Sequence, residues 1–126
     1  MHREKLNKIS YDIIGCALKV HSELCPGLLE STYEVCLEQE LLDLRYLVER
    51  QKELPVIYHG IKLDAGYRID LLVEKEIIIE LKSVEELAPI HQAQILTYMK
   101  LSQKQLGLLI NFNVTQLKKG IKRFVL

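Results

Sequence analysis

Asp70, Glu80 and Lys82 interrupt a stretch, IDLLVEKEIIIELKS from Ile69 to Ser83, that otherwise reads as two apolar strands joined by a tight charged turn. If Glu74, Lys75 and Glu76 form a three-residue loop, Val73 faces Ile77, Leu72 faces Ile78, Asp70 faces Glu80 and Arg68 faces Lys82. Directly opposed residues point to one face, so the two acids and the lysine converge. A two-residue loop pairs Asp70 with Ile79 and sends Glu80 to the opposite face. The segment lacks the glycine that three-residue connections favour, so the odd register, or a bulge that restores it, is an expectation.

Two facing carboxylates repel, and burying them uncompensated is costly. A divalent cation removes the conflict, and an oxygen-only donor set suits magnesium or manganese rather than zinc. Lys82 is then placed to hold a nucleophilic water or to stabilise charge developing on a phosphate. The same pattern also fits an exposed edge strand carrying a carboxylate–lysine pair. Downstream, His91, Gln94 and Tyr98 fall on one face of a predicted helix, and Gln and Tyr are neutral groups able to hydrogen-bond a phosphate or a base edge. They fit the margin of an amphipathic helix equally well. Glu30 falls in a helical first turn, where the macrodipole alone favours an acid.

The elements that must position these residues follow from periodicity. Ile9, Ile13, Cys16, Ala17, Val20 and Leu24 make one helical stripe, Pro26-Gly27 breaks the chain, and a second helix runs from Leu28 to about Leu44, with Glu30 and Glu34 one turn apart. From Tyr46 to Lys82 the period shifts toward two, predicting three or four strands. Pro89 starts a helix to about Gln103. LGLLINF, Leu106 to Phe112, reads as a strand buried on both faces, and GIKRFVL as a closing strand. The order predicts an α/β fold, a mixed sheet flanked by helices, in one domain spanning residues 1–126.

Composition narrows the function classes. The chain has 126 residues, 48% hydrophobic, with a formal net charge of zero, so no overall field draws it to nucleic acid or membranes. Charge is uneven: Glu23 to Glu53 holds eight acids against three bases, whereas Lys100 to Leu126 holds six bases and no acid. Such a basic flank reads as a solvated face or as a phosphate contact. No run approaches a membrane span, and MHREKLNK leads into no signal-type apolar segment, so a cytoplasmic location is expected. Cys16, Cys25 and Cys36 have no CxxC spacing, which argues against a disulfide framework and a zinc knuckle.

With these residues in view, the chain resembles the GxxExxY protein family, a branch of the PD-(D/E)xK nuclease superfamily whose core is restriction-endonuclease-like. The motif stands as Gly27-Leu28-Leu29-Glu30-Ser31-Thr32-Tyr33, and further matches run through Gly66 to Glu74, Ile77 to Glu85, Ala88 to Leu101 and the last two strands. The resemblance implies that Asp70 and Glu80 are catalytic acids and metal ligands, that Glu30 completes the metal site, and that Lys82 is the lysine of ExK. Gln94 and Tyr98 match a RecB-like QxxxY beside the active site. Ile69 stands where the superfamily name has proline, and Cys25 where a GPG turn would have glycine. RecB-like domains often carry an upstream histidine near the metal; His21 occupies such a position and also fits a half-buried structural role. Arg68 binds phosphate from the strand face or pairs with a carboxylate there.

The expected function is therefore a Mg-dependent phosphodiesterase acting on DNA, with Mn as an alternative ion and dimerisation as a route to a larger footprint. A silent nucleic-acid-binding module, or an interaction subunit that kept the nuclease fold, is the rival reading.

Overall fold

The computed structural model describes residues 2–126. Helix α1 (His2–Leu24) buries Leu6, Ile9, Ile13, Cys16, Ala17 and Val20, the helical stripe read from the sequence extended toward the N-terminus. Helix α2 (Glu30–Asp43) buries Tyr33, Leu37 and Leu41 at four-residue intervals. Five strands follow: β1 (Val48–Glu53), β2 (Val56–Tyr58), β3 (Ile61–Leu63), β4 (Arg68–Val73) and β5 (Ile77–Lys82). Helix α3 (Pro89–Ser102), β6 (Leu106–Asn111), a 3-10 turn η1 (Leu117–Gly120) and β7 (Ile121–Val125) complete the chain.

The main sheet has the order β1-β4-β5-β6-β7, with β5 and β6 parallel and the other neighbours antiparallel. Alternate side chains feed two cores. Leu71, Val73, Ile77, Ile79 and Leu81 pack with α1 and α2, whereas Leu72, Ile78 and Leu109 pack with Ile95, Tyr98 and Met99 of α3. Strand β6 is buried along its whole length, as its unbroken apolar run predicts. At Gly107 a β-carbon would stand 2.7 Å from Met99 Sδ and 3.1 Å from Ile95 Cδ1, so the missing side chain lets α3 lie close on the sheet.

Two details differ from the sequence expectation. IKLDAGYRIDLLV splits into β3 and β4, giving five strands between Val48 and Lys82, and β2 with β3 forms a separate two-stranded ribbon. That ribbon carries Ile57, Tyr58 and Ile61 exposed on its surface. Among the described residues no helix is long and apolar enough to cross a membrane.

The α1–α2 turn shows what Cys25 costs. Its N–H donates to the His21 carbonyl at 2.9 Å while its φ is 61°, the left-handed helix end that glycine normally supplies. Cys25→Gly is expected to raise stability by about 1 kcal/mol, measured by urea denaturation, because it relieves a left-handed L-residue.

Candidate active site

Strands β4 and β5 pair as the odd loop requires: Val73 with Ile77, Leu72 with Ile78, Leu71 with Ile79. The Glu76 N–H donates to the Val73 carbonyl at 3.0 Å, and Glu74 and Lys75 adopt left-handed φ values of 53° and 57° in place of the missing glycine. Leu47 helps hold the turn, its N–H donating to Glu74 Oε2 at 2.6 Å and its carbonyl accepting the Glu74 N–H at 2.8 Å.

Beyond Leu71 and Ile79 the expected backbone pairs give way to side chains. The Asp70 N–H donates to Glu80 Oε2 at 2.9 Å, and the Leu81 N–H donates to Asp70 Oδ2 at 2.8 Å. Carboxylates thus take main-chain donors of the next rung, and the strands part around them. Glu80 is only 3% exposed. Lys82, on the same strand, belongs to no ion pair among the described residues and still acts on both acids, favouring their ionised forms.

Helix α2 delivers Glu30 through a braced turn. The Tyr33 hydroxyl donates to the Cys25 carbonyl at 2.6 Å and accepts the Leu28 N–H at 3.1 Å, while its fully buried ring stacks on Phe112 at 4.5 Å. Gly27 between them has φ 106°, which an L side chain rarely adopts. The glycine and tyrosine of GxxExxY therefore shape the loop, and the glutamate is its payload. Glu30 Oε2 accepts the Ser83 N–H at 3.4 Å, and Ser83 Oγ donates to the Leu28 carbonyl at 2.7 Å, tying this loop to the end of β5. Buried Asn111 clamps the next residue, Nδ2 donating to the Val84 carbonyl at 2.9 Å and Oδ1 accepting the Val84 N–H at 3.1 Å.

Two further residues join the cluster that the sequence reading did not assign to it. Glu34, read only as an acid on one side of α2, is 6% exposed, accepts a hydrogen bond from Gln51 Nε2 at 2.8 Å and lies 3.6 Å from Arg50 Nη1. Gln51 Nε2 also donates to Asp70 Oδ1 at 3.3 Å, bridging two carboxylates. Its φ of 55° breaks the regularity of β1 opposite Asp70. Spacing offered one signal, since Glu34 shares a helix face with Glu30; Gln51 gave none.

On α3, Gln94 Nε2 donates to the Tyr98 hydroxyl at 3.2 Å. Tyr98 is pushed above the usual phenol range by burial and by the negative charges of Glu80 and Asp70, which places it in the field of the acids. His91 is a cap rather than a member of this face: its Nδ1 accepts the Ala88 N–H at 2.9 Å. Arg68 does not pair with Lys82, since the β4–β5 ladder ends at Leu71 and Ile79; its exposed guanidinium lies 3.4 Å from Glu53. His21 Nε2 lies 2.7 Å from the Val114 carbonyl, a structural bond between α1 and the segment before η1.

The acids titrate as a group short of positive charge. Burial, then the Asp70 charge, pushes Glu80 up to about 8; burial raises Asp70 against the opposing pull of the Leu81 N–H, Gln51 and Lys82; burial and Asp70 raise Glu34.

A family model described as the PD-(D/E)XK nuclease superfamily matches residues 7–124 of the chain. The chain belongs to that superfamily. No curated protein and no solved structure matches it. The mixed sheet flanked by helices is consistent with the restriction-endonuclease-like fold of PD-(D/E)XK proteins, whose members are generally nucleases that use divalent metals.

The donor set fits a hard divalent ion. It is all carboxylate, and each carboxylate keeps lone pairs beyond those given to main-chain donors. Among the described residues no three such side chains are already gathered as a coordination cluster.

Glu80 makes metal-free stability pH-dependent. Its folded value of about 8 lies above the ordinary 4.5, so its contribution is fully present below about pH 4.5 and is lost as pH rises through about 8. The melting temperature in EDTA is expected to fall over that interval, and Glu80→Gln to flatten the decline while stabilising the protein at pH 8 by on the order of 2 kcal/mol.

Proposed function

We propose that this chain is a metal-dependent deoxyribonuclease of the GxxExxY type, acting in the cytoplasm as one domain over residues 1–126. The observation that carries the reading is the parting of β4 from β5 around Asp70 and Glu80, with unpaired Lys82 beside them, in a chain of a nuclease superfamily.

Asp70, Glu80 and Glu30 would hold Mg2+, with Mn2+ as a substitute. When bound, the ion supplies Lewis-acid neutralisation of the phosphodiester and lowers the cost of deprotonating water. Lys82 orients the attacking water and offsets charge that develops on the phosphate. Gln94 and Tyr98 position the strand from α3. Arg68 reaches a flanking phosphate by giving up its exposed and therefore weak pair with Glu53. Gln51 and the main-chain donors keep the acids in place while this happens.

Purified protein incubated with single-stranded, duplex and branched DNA is expected to cleave in Mg2+ or Mn2+ and to stop in EDTA. Asp70→Ala and Lys82→Ala should each reduce cleavage on the order of a hundredfold or more with unchanged circular dichroism; cleavage that survives both substitutions overturns the assignment. DNA binding without cleavage under either ion identifies a silent module instead.

Metal binding must displace the proton that Glu80 carries near neutrality. Mg2+ is therefore expected to raise the melting temperature more at pH 8 than at pH 6, and Asp70→Ala to abolish the rise. An equal rise at both pH values, retained in Asp70→Ala, would assign the ion to other residues.

A further inference from the structure

The exposed ribbon and α3 frame an apolar groove of about 420 Å3 that opens beside the acids. Its walls include Val56 from β2, Tyr67 from the segment before β4, and Ile90, Thr97, Tyr98 and Leu101 from α3. No charged side chain lines it. Tyr67 and Ile90, on its walls, are 49% and 70% exposed. Two facts say what belongs there.

The first is continuity with the acids. Tyr98 and its hydrogen-bond partner Gln94 line the groove, and the Tyr98 phenol feels Glu80 and Asp70. The Tyr67 ring meets the Tyr98 ring edge to face at 6.4 Å, so an aromatic surface begins where the candidate catalytic groups end. A chain whose phosphate lies at Asp70 and Glu80 can carry its neighbouring residues along this surface through Gln94 and Tyr98.

The second is charge. Leu101 borders both this groove and a second one of about 570 Å3, in which Lys52, Lys75, Lys100 and Lys104 stand with Glu49 and with Glu53, the latter paired to Arg68. Glu49 pairs with Lys52 and Lys75, whereas Lys100 and Lys104 have no carboxylate partner among the described residues. An uncharged aromatic wall followed by free lysines matches a polymer with apolar faces and anionic links. Bases stacked in a duplex hide those faces; unpaired bases present them.

Building on the nuclease reading, we propose that the groove between the β2–β3 ribbon and α3 receives unpaired nucleobases, so that the substrate is single-stranded or locally melted nucleic acid whose phosphates continue toward Lys100 and Lys104. A paired helix would have to be opened before its bases reached Tyr67.

Fluorescence anisotropy tests this with a labelled oligothymidylate of about 16 nucleotides and a blunt duplex of equal length. Mg2+ is present and the protein carries Lys82→Ala, so that the probes stay intact. The single strand is expected to bind at least about tenfold tighter than the duplex. Tyr67→Ala should weaken single-strand binding about five- to fiftyfold, Tyr67→Phe should preserve it, and Ile90→Asp, at the groove's exposed rim, should weaken it as well. Joint Lys100→Glu and Lys104→Glu should flatten the salt dependence by about 1.4 units of slope. Equal binding of both probes, or indifference to Tyr67→Ala and Ile90→Asp, overturns the proposal. So does a mass measurement in which these substitutions turn a dimer into a monomer without altering single-strand preference, since the groove is then a protein interface. Cleavage by the otherwise wild-type chain is scored separately. Cleavage that needs Asp70 and Lys82 but ignores Tyr67→Ala retains the nuclease and removes the groove; groove-dependent binding without cleavage does the reverse.

Discussion

The structure turns on one exchange of hydrogen bonds. Where β4 and β5 would continue their ladder, the Asp70 and Leu81 N–H groups donate instead to Glu80 and Asp70 carboxylates. These two main-chain donors therefore stay satisfied where the sheet splits. Each acid in return is fixed against rigid backbone rather than against a mobile side chain. The opening between the strands and the orientation of the acids are thus the same feature.

The remaining elements serve this break from both faces of the sheet. On one side Tyr33, stacked on Phe112, holds the Cys25 to Leu28 turn and so sets the height at which Glu30 meets Ser83. Asn111 replaces a rung of the β5–β6 ladder with its side-chain amide and keeps the chain after Lys82 in line. On the other side Gly107 admits Met99 and Ile95, which seats α3 low enough for Tyr98 to reach the field of the acids. Packing of apolar side chains against β5 and β6, each burial contributing about 2 kcal/mol, offsets the cost of burying the acids.

Parity made Asp70, Glu80 and Lys82 legible in the sequence because a strand has only two faces, and the odd loop put all three on one. The loop itself was less legible: Glu74 and Lys75 do what glycine usually does, and no propensity rule favours them there. Glu34 was visible as an acid but not as a neighbour of Asp70, since a helical repeat fixes which residues share a face and leaves open what that face meets. Gln51 had no signal, because its left-handed backbone depends on tertiary contacts. Residues 56–63 alternate like any strand pair, and alternation alone does not distinguish a free ribbon from two members of the main sheet.

The choice of partners around the acids differs from that of a salt-bridge network. A network would set arginines against Glu80 and Asp70 and hold both ionised. Here Asp70 receives an amide, Gln51, and a main-chain N–H, and Glu80 receives a main-chain N–H; these groups orient a carboxylate without cancelling its charge. Arg50 engages Glu34 and Glu38 at the margin, and Lys82 stands near without closing on either central acid. Orientation is supplied in full and neutralisation only in part. Burial first, and then the charges of neighbouring carboxylates, displace Glu80, Asp70 and Glu34 upward, and Lys82 and Arg50 offset that displacement only in part.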